Sequence, residues 1–411
     1  MTDTKDDLKT AERLPKVGRR TFMWGAALAA AAPIVSEASL AYAARASFLG
    51  EVPPDAVLIN ANENPLGPSK AACQAIADIA PMGGRYDKLD KSDEFINKYA
   101  ALHGLKAENV AVYAGSSEPL HYTVLAFTSP SKGLVTADPS YESPVAAAAV
   151  SGAPIHKVHL TGDYAHDVKA MVAADPAAGV IYICNPNNPT GTITPREEIL
   201  WALDNKPAGS ILLVDEAYIH LSDEQSVVDQ VAAGKDLIIL RTFSKVYGMA
   251  GIRCGVALGR PDLLAKLQPY LQNSMPVTAL TAAVASLDDA DLVPTRKAWI
   301  AGTRKDTIAW LQQAGYKPIG VSHSNCFMID TGRDGHGVIA ALRARKVYIG
   351  RIWPVWPNAV RVSVGSPDDM AKFRVAFKEV MDAPAVAVSP APPKQARAVT
   401  PAGMGGTTFL S

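Results

Sequence analysis

The 411-residue chain is 48% hydrophobic and 19% charged, enough apolar material for a large buried core; a disordered or collagen-like protein is excluded and two domains are the natural prior. Forty basic side chains balance forty acidic ones, so no excess positive field exists to hold a phosphate backbone, and nucleic acid is not an expected partner. The four cysteines, Cys73, Cys184, Cys254 and Cys326, lie far apart with no C-x-x-C pair, which argues against a zinc ribbon or a disulfide scaffold and for buried free thiols.

In chain order, the first feature is Gly18-Arg19-Arg20-Thr21-Phe22-Met23, followed by the apolar run Trp24 to Val35 and then Ala41-Tyr42-Ala43. An arginine pair, an apolar run and a small-x-small site in that order resemble a twin-arginine export signal. Residues 1–43 are therefore expected to engage the twin-arginine export machinery and to direct the protein to the periplasm. The apolar run has 12 residues, against the roughly 20 that a helix needs to cross a bilayer, so no stable membrane span is expected.

Further on, Ile181 to Cys184, Ile211 to Val214, Leu237 to Leu240 and Cys254 to Leu258 read as strands buried on both faces, with amphipathic segments such as Arg196 to Asn205 between some of them. That is the rhythm of an α/β domain with a mostly parallel sheet. After Pro294 the pattern changes to a helix Thr295 to Ala314, a strand Cys326 to Asp330, a helix through Arg345, a strand Val360 to Val364 and a closing helix Asp368 to Met381, the pattern of a smaller α+β domain. Gly335-His336-Gly337 has the look of a dinucleotide fingerprint but comes late in the chain and is read as a helix start. Residues 383–411 hold five prolines, seven alanines and no acidic residue, and read as a tail with no face to bury.

Polar residues follow the apolar strands at once: Asn185 to Gly191, Asp215 to Tyr218 and Thr242 to Lys245. In open α/β sheets ligands bind beyond the carboxyl ends of the strands, so these loops should meet at one site. A lysine such as Lys245 can form a Schiff base with an aldehyde cofactor, and Ser244 and Arg253 nearby could hold that cofactor's phosphate. Asp215 leaves an apolar strand, where a carboxylate needs a cationic partner such as a protonated pyridine nitrogen. Asn188 and Tyr218 could reach a phenolate oxygen on the same ring. Gly115-Ser116-Ser117 opens a helical stretch 118–127, whose positive end suits a phosphate.

Asn60-Ala-Asn-Glu-Asn-Pro-Leu-Gly-Pro-Ser69, Arg85-Tyr86, Pro139-Ser-Tyr141, Asn185-Pro-Asn-Asn-Pro-Thr-Gly191, Val214-Asp-Glu-Ala-Tyr218, Arg241-Thr-Phe-Ser-Lys245, Gly251-Ile-Arg253 and Val360-Arg-Val-Ser-Val-Gly365 together resemble the pyridoxal-phosphate-dependent aminotransferases of fold type I, in particular the histidinol-phosphate aminotransferase group. The resemblance covers about residues 55–382. With the signal read at 1–43 and the tail at 383–411, it implies an N-terminal arm with part of the small domain at 44–80, a large cofactor-binding domain at 81–290 and a small domain at 291–382. It also implies pyridoxal 5'-phosphate as cofactor, an amino acid (or a histidinol-phosphate-like amine) and a 2-oxo acid as substrates, and a homodimer. Lys245 would be the Schiff-base lysine and proton shuttle, Asp215 the partner of the ring nitrogen, Asn188 and Tyr218 the ligands of the ring oxygen, and Tyr141 a stacking partner. Gly115, Ser116, Ser117, Ser244 and Arg253 would hold the phosphate, joined by Tyr86 of the second subunit. Arg361 would bind the substrate carboxylate, Arg351 would face the distal end, and Asn64 belongs to the substrate side. Ser117 stands where the family usually has Asp, and Asp87 where it usually has Pro. The alternative on the same fold is a pyridoxal-phosphate-dependent decarboxylase or other lyase, distinguished by its product.

Overall fold

In the computed structural model, the structure describes residues 52–384, apart from 88 and 272. The export signal read at 1–43 and nearly all of the tail read at 383–411 lie outside the described residues. The described strands are β1 (Val57–Ile59), β2 (Val110–Tyr113), β3 (Leu134–Asp138), β4 (Ile155–His159), β5 (Val180–Cys184), β6 (Ile211–Asp215), β7 (Leu237–Thr242), β8 (Gly255–Gly259), β9 (Lys317–Ile319), β10 (Cys326–Asp330), β11 (Val347–Ile349) and β12 (Ala359–Ser363).

Seven of them form one sheet in the order β2-β8-β7-β6-β5-β3-β4, in which only β8 runs against its neighbours. The sequence explains the layering. Alternate residues of each strand belong to opposite faces, and both sets are apolar. Ile181, Ile183, Leu212, Val214 and Ile239 pack on one side with Phe95, Met171, Ile199 and Ala202 of the helices Lys91–Leu102, Val168–Ala173 and Arg196–Asn205. Val180, Tyr182, Leu213 and Leu240 pack on the other with Leu120, Val124 and Ala147 of the helices Ser117–Phe127 and Ser143–Ser151. Each fully buried Ile, Leu or Val contributes about 1.5–3 kcal/mol of transfer free energy, so this doubly covered sheet is the rigid part of the molecule.

The rest of the chain builds two smaller sheets. β12, β10 and β9 are antiparallel neighbours, with Arg361 opposite Met328, and β1 pairs in parallel with β11. The long helix begins at Leu292, three residues before the expected Thr295. Pro294 falls in its first turn, where a missing N–H breaks no intrahelical bond. Asp334 accepts from Gly337 N at 2.8 Å and so caps the helix Gly335–Arg343, the helix start read there. Ser366 and Asp369 cap the closing helix Pro367–Asp382 reciprocally. Cys184, Cys254 and Cys326 are buried free thiols, but Cys73 is exposed, contrary to the expectation for all four.

Candidate active site

The loops after β2, β3, β5, β6 and β7 all leave the sheet at one edge. Because β8 is reversed, the residue before it also lies at that edge: Gly255 pairs with both Thr242 and Tyr113. Arg253 is thereby brought beside Gly115 and Ser244, although 138 residues separate it from the first. A cavity opens there, lined by Ser116, Ser117, Tyr141, Cys184, Asn188, Asp215, Ala217, Tyr218, Thr242, Ser244, Lys245 and Arg253.

Two charged groups of opposite sign are buried in its wall. Asp215 ends β6; its Oδ2 accepts from the Tyr182 hydroxyl at 3.0 Å and its Oδ1 from Ala217 N at 3.1 Å. Burial nonetheless raises its pKa from 3.8 to about 6, against the lowering effect of those bonds and of Lys245. Lys245, only 7% exposed, donates from Nζ to the Asn62 carbonyl at 3.0 Å and lies 5.5 Å from the centre of the Tyr218 ring.

At the other end the donors gather. Ser116 and Ser117 open the helix Ser117–Phe127, whose N-terminus has no side-chain cap. Arg253 donates to the Ala114 and Ala250 carbonyls at 2.9 and 2.8 Å, with Ser244 Oγ at 3.5 Å. Gly115 has φ of +94°, and a Cβ there would fall 2.3 Å from an Arg253 nitrogen, so only glycine lets the guanidinium approach this turn.

Asn188 Oδ1 accepts from Arg361 Nη1 at 2.9 Å. A guanidinium has only donors, so this contact fixes which end of the amide is oxygen and turns the nitrogen away from Arg361. Arg361, from β12, also donates to the Asn60 carbonyl at 2.7 Å; it reaches the cavity wall through Asn188 and is not itself a lining residue. Ser140 and Asn187 join the loops carrying Tyr141 and Asn188 through a 2.9 Å bond.

Three expected residues stand elsewhere. Asn64, read as substrate-binding, donates to the carbonyls of Lys245 and Val246, both at 3.0 Å. Those bonds use both amide hydrogens, so in this structure Asn64 holds the lysine turn. Arg351 is ion-paired with Glu142 and lies 4.5 Å from the Trp353 ring centre, outside the lining residues. Tyr86 is 86% exposed and does not reach the cavity of its own chain.

A buried amine, a buried carboxylate and a cradle of donors beyond them thus share one cavity. Residues 54–377 match the family model for aminotransferase class I and II. The chain belongs to that family. It is 32% identical over 338 residues to the histidinol-phosphate aminotransferase of Symbiobacterium thermophilum, covering 80% of this chain and 91% of that protein. It is also 32% identical over 324 residues to the aromatic amino acid aminotransferase of Rhodococcus jostii, covering 78% and 89%. The crystal structure of histidinol-phosphate aminotransferase from Sinorhizobium meliloti in complex with pyridoxal-5'-phosphate superposes with a TM-score of 0.73 at 25% identity, over 79% of this chain and 90% of that one. The protein is a pyridoxal-phosphate-dependent aminotransferase of fold type I.

The cavity of this aminotransferase fits the cofactor on its own chemistry. A carboxylate desolvated enough to be half protonated near pH 6 needs a cation, and a protonated ring nitrogen is one. The uncapped helix start, Ser244 and Arg253 form a cradle for an anion. Sequence reasoning missed Tyr182, which holds Asp215, and Asn62, which touches both Lys245 and Tyr218. Tyr182 had a signal: it faces Leu213 across β5 and β6, and Asp215 is two residues further on the same face.

Proposed function

We propose that this aminotransferase is an exported homodimer whose amino donor carries an uncharged aromatic or imidazole side chain. The observation that carries the substrate reading is the Arg351–Glu142 pair: the arginine that would meet an anionic tail already has a carboxylate, and it lies against the Trp353 indole. A relative named for aromatic amino acids supports the same reading. Pyridoxal phosphate, when bound, supplies an aldehyde carbon that takes an amine and a ring that withdraws electrons. Asp215 would keep the ring nitrogen protonated, Asn188 and Tyr218 would serve the ring oxygen, and Tyr141 would hold the ring, all four lining one cavity. Arg361, which reaches the cavity wall through Asn188, is the residue assigned to the substrate carboxylate. Lys245 Nζ, held by the turn that Asn64 fixes, would take the proton from the substrate's α-carbon and carry it for return. The test is a panel of phenylalanine, tyrosine, histidine, histidinol phosphate and aspartate with 2-oxo acids. The aromatic donors should have the highest kcat/KM; a higher value for aspartate or histidinol phosphate would refute the assignment.

The dimer reading rests on Tyr86, whose exposure suits a side chain that completes the phosphate site of the opposite subunit. A fully active monomer in light scattering would contradict it. In the same reading, residues 81–290 form the large domain and 44–80 are an N-terminal arm with part of the small domain 291–382, that part supported by the β1–β11 pairing. Export rests on Arg19, Arg20 and the apolar run after them. Replacing both arginines by lysine should leave an active enzyme in the cytoplasm, and unchanged periplasmic recovery would reject the signal.

A further inference from the structure

Tyr218 and Lys245 share a neighbour with no role so far. Asn62, three residues beyond β1, is fully buried and has φ of 53°, a left-handed conformation that asparagine tolerates better than most residues. Its Nδ2 donates to the Tyr218 hydroxyl at 3.0 Å and to Cys326 Sγ at 3.2 Å, and its carbonyl accepts from Lys245 Nζ at 3.0 Å. It is fixed from behind. Its backbone N–H donates to Ser363 Oγ at 2.8 Å, Ser363 Oγ donates to Asn62 Oδ1 at 2.9 Å, and Asn325 donates to the Asn62 carbonyl at 2.9 Å. The residue therefore ties β12 and the loop before β10 to the two reactive groups at the central sheet.

A phenol has one hydrogen to donate, and an amide N–H cannot accept it. With the Tyr218 oxygen accepting from Asn62, its single hydrogen is aimed elsewhere. We propose that Asn62 is a positioning residue for transamination: its amide orients the Tyr218 phenol so that the phenolic proton is donated to the cofactor's ring oxygen. The proposal rests on Tyr218 serving that oxygen. A hydrogen bond donated there draws negative charge away from the oxygen, and the charge left on that oxygen is what holds a proton on the neighbouring Lys245 nitrogen. Weakening the donor must raise the pH at which that nitrogen loses its proton.

The experiment is a pH titration of the visible absorbance of the full, cofactor-loaded protein, in wild type, Asn62→Gly, Asn62→Asp, Tyr218→Phe and the Asn62→Gly/Tyr218→Phe double variant. Glycine accepts the left-handed backbone and keeps the carbonyl that receives Lys245 while deleting the amide. Aspartate keeps the shape and replaces the donor by an acceptor. The other charged and titratable groups near this point, Lys245, Asp215, Arg361 and the thiols of Cys184 and Cys326, stay in every variant. Asn62→Gly and Asn62→Asp should each raise the midpoint by about 0.5–1 pH unit. In the Tyr218→Phe background Asn62→Gly should add less than about 0.2 unit, because the two residues act through one hydrogen bond. Should Asn62→Gly not fold, Asn62→Asp is compared with and without the Tyr218 hydroxyl: its added carboxylate raises the midpoint in both, and the difference decides. An unmoved midpoint in the folded Asn62 variants, or equal shifts with and without the Tyr218 hydroxyl, would overturn the proposal. An unmoved midpoint in Tyr218→Phe alone would instead show that Tyr218 does not serve the ring oxygen, and the proposal would fall with it.

Discussion

Two arginine–glutamate pairs flank the site and differ in kind. Glu216 and Arg241 follow Asp215 and precede Lys245 at the ends of β6 and β7; they meet at 2.8 Å, both almost wholly buried, with Ser226 hydrogen-bonded to each. Glu142 and Arg351 follow Tyr141 and precede Trp353, and their side chains remain 34% and 27% exposed. Breaking a buried pair strands a charge and costs several kcal/mol, whereas a half-exposed pair is worth about 1 kcal/mol or less and can be exchanged for another partner. The cofactor end is thus built on a locked scaffold, and the end proposed for the distal part of the substrate on contacts weak enough to be redrawn.

The largest test of that contrast lies at the cofactor end. Lys245→Ala should lower turnover by about 10⁴-fold or more and abolish the absorbance of the lysine-bound cofactor, with circular dichroism unchanged. Retained turnover would remove the lysine from the mechanism. Asp215→Ala should lower kcat by about 10³-fold, because an unstabilised carbanion raises the barrier by about 1.4 kcal/mol for each factor of ten. The same carboxyl should weaken the cofactor-free protein. Its folded pKa of about 6 lies above the ordinary 3.8, so stability is lost as pH rises through that window. Cofactor-free Asp215→Asn should therefore melt higher than cofactor-free wild type at pH 7, by an amount worth up to about 3 kcal/mol.

The scaffold should also fail in acid. Burial lowers His121 to about 4 and His166 and His220 to about 3, so these rings stay neutral in the folded state where the unfolded chain would protonate them near 6.5. Their contribution is complete above 6.5 and is lost as pH falls, at about 1.4 kcal/mol per unit for each ring. Melting temperature followed from pH 7 to 5 should drop steeply, and less so in His166→Asn.

Legibility in the sequence follows the same division. β5, β6 and β7 were readable because their residues are apolar on both faces, and the groups that follow them were readable because strand ends in such sheets carry function. Lys245, Asp215, Asn188 and Arg253 accordingly meet in one cavity. The three-residue strands β1, β9 and β11 were not readable, since so short a run has no period and owes its form to a distant partner. Asn62, Tyr182 and Glu142 were missed for a related reason: each acts through a residue 33 to 209 positions away, and no local pattern marks such a pair.

The smallest predicted effect would sharpen the contrast most. Glu142 is the only anionic partner of Arg351 among the described residues, and the Nε and Nη2 atoms of that arginine are buried without a hydrogen-bond partner among them. Glu142→Gln keeps the shape of the loop and removes the negative charge, so the guanidinium becomes available to an anion carried by the substrate. Because the pair is half exposed, the gain is limited to the strength of one charge-assisted contact, about tenfold in kcat/KM for a donor with an anionic tail such as aspartate. Phenylalanine makes no such contact and should change by less than about twofold, so the ratio between the two donors isolates the charge from any general damage to the fold. Equal changes for both donors would mean that Glu142 and Arg351 merely brace the loop before β12, and that the distal end of the substrate lies against other residues.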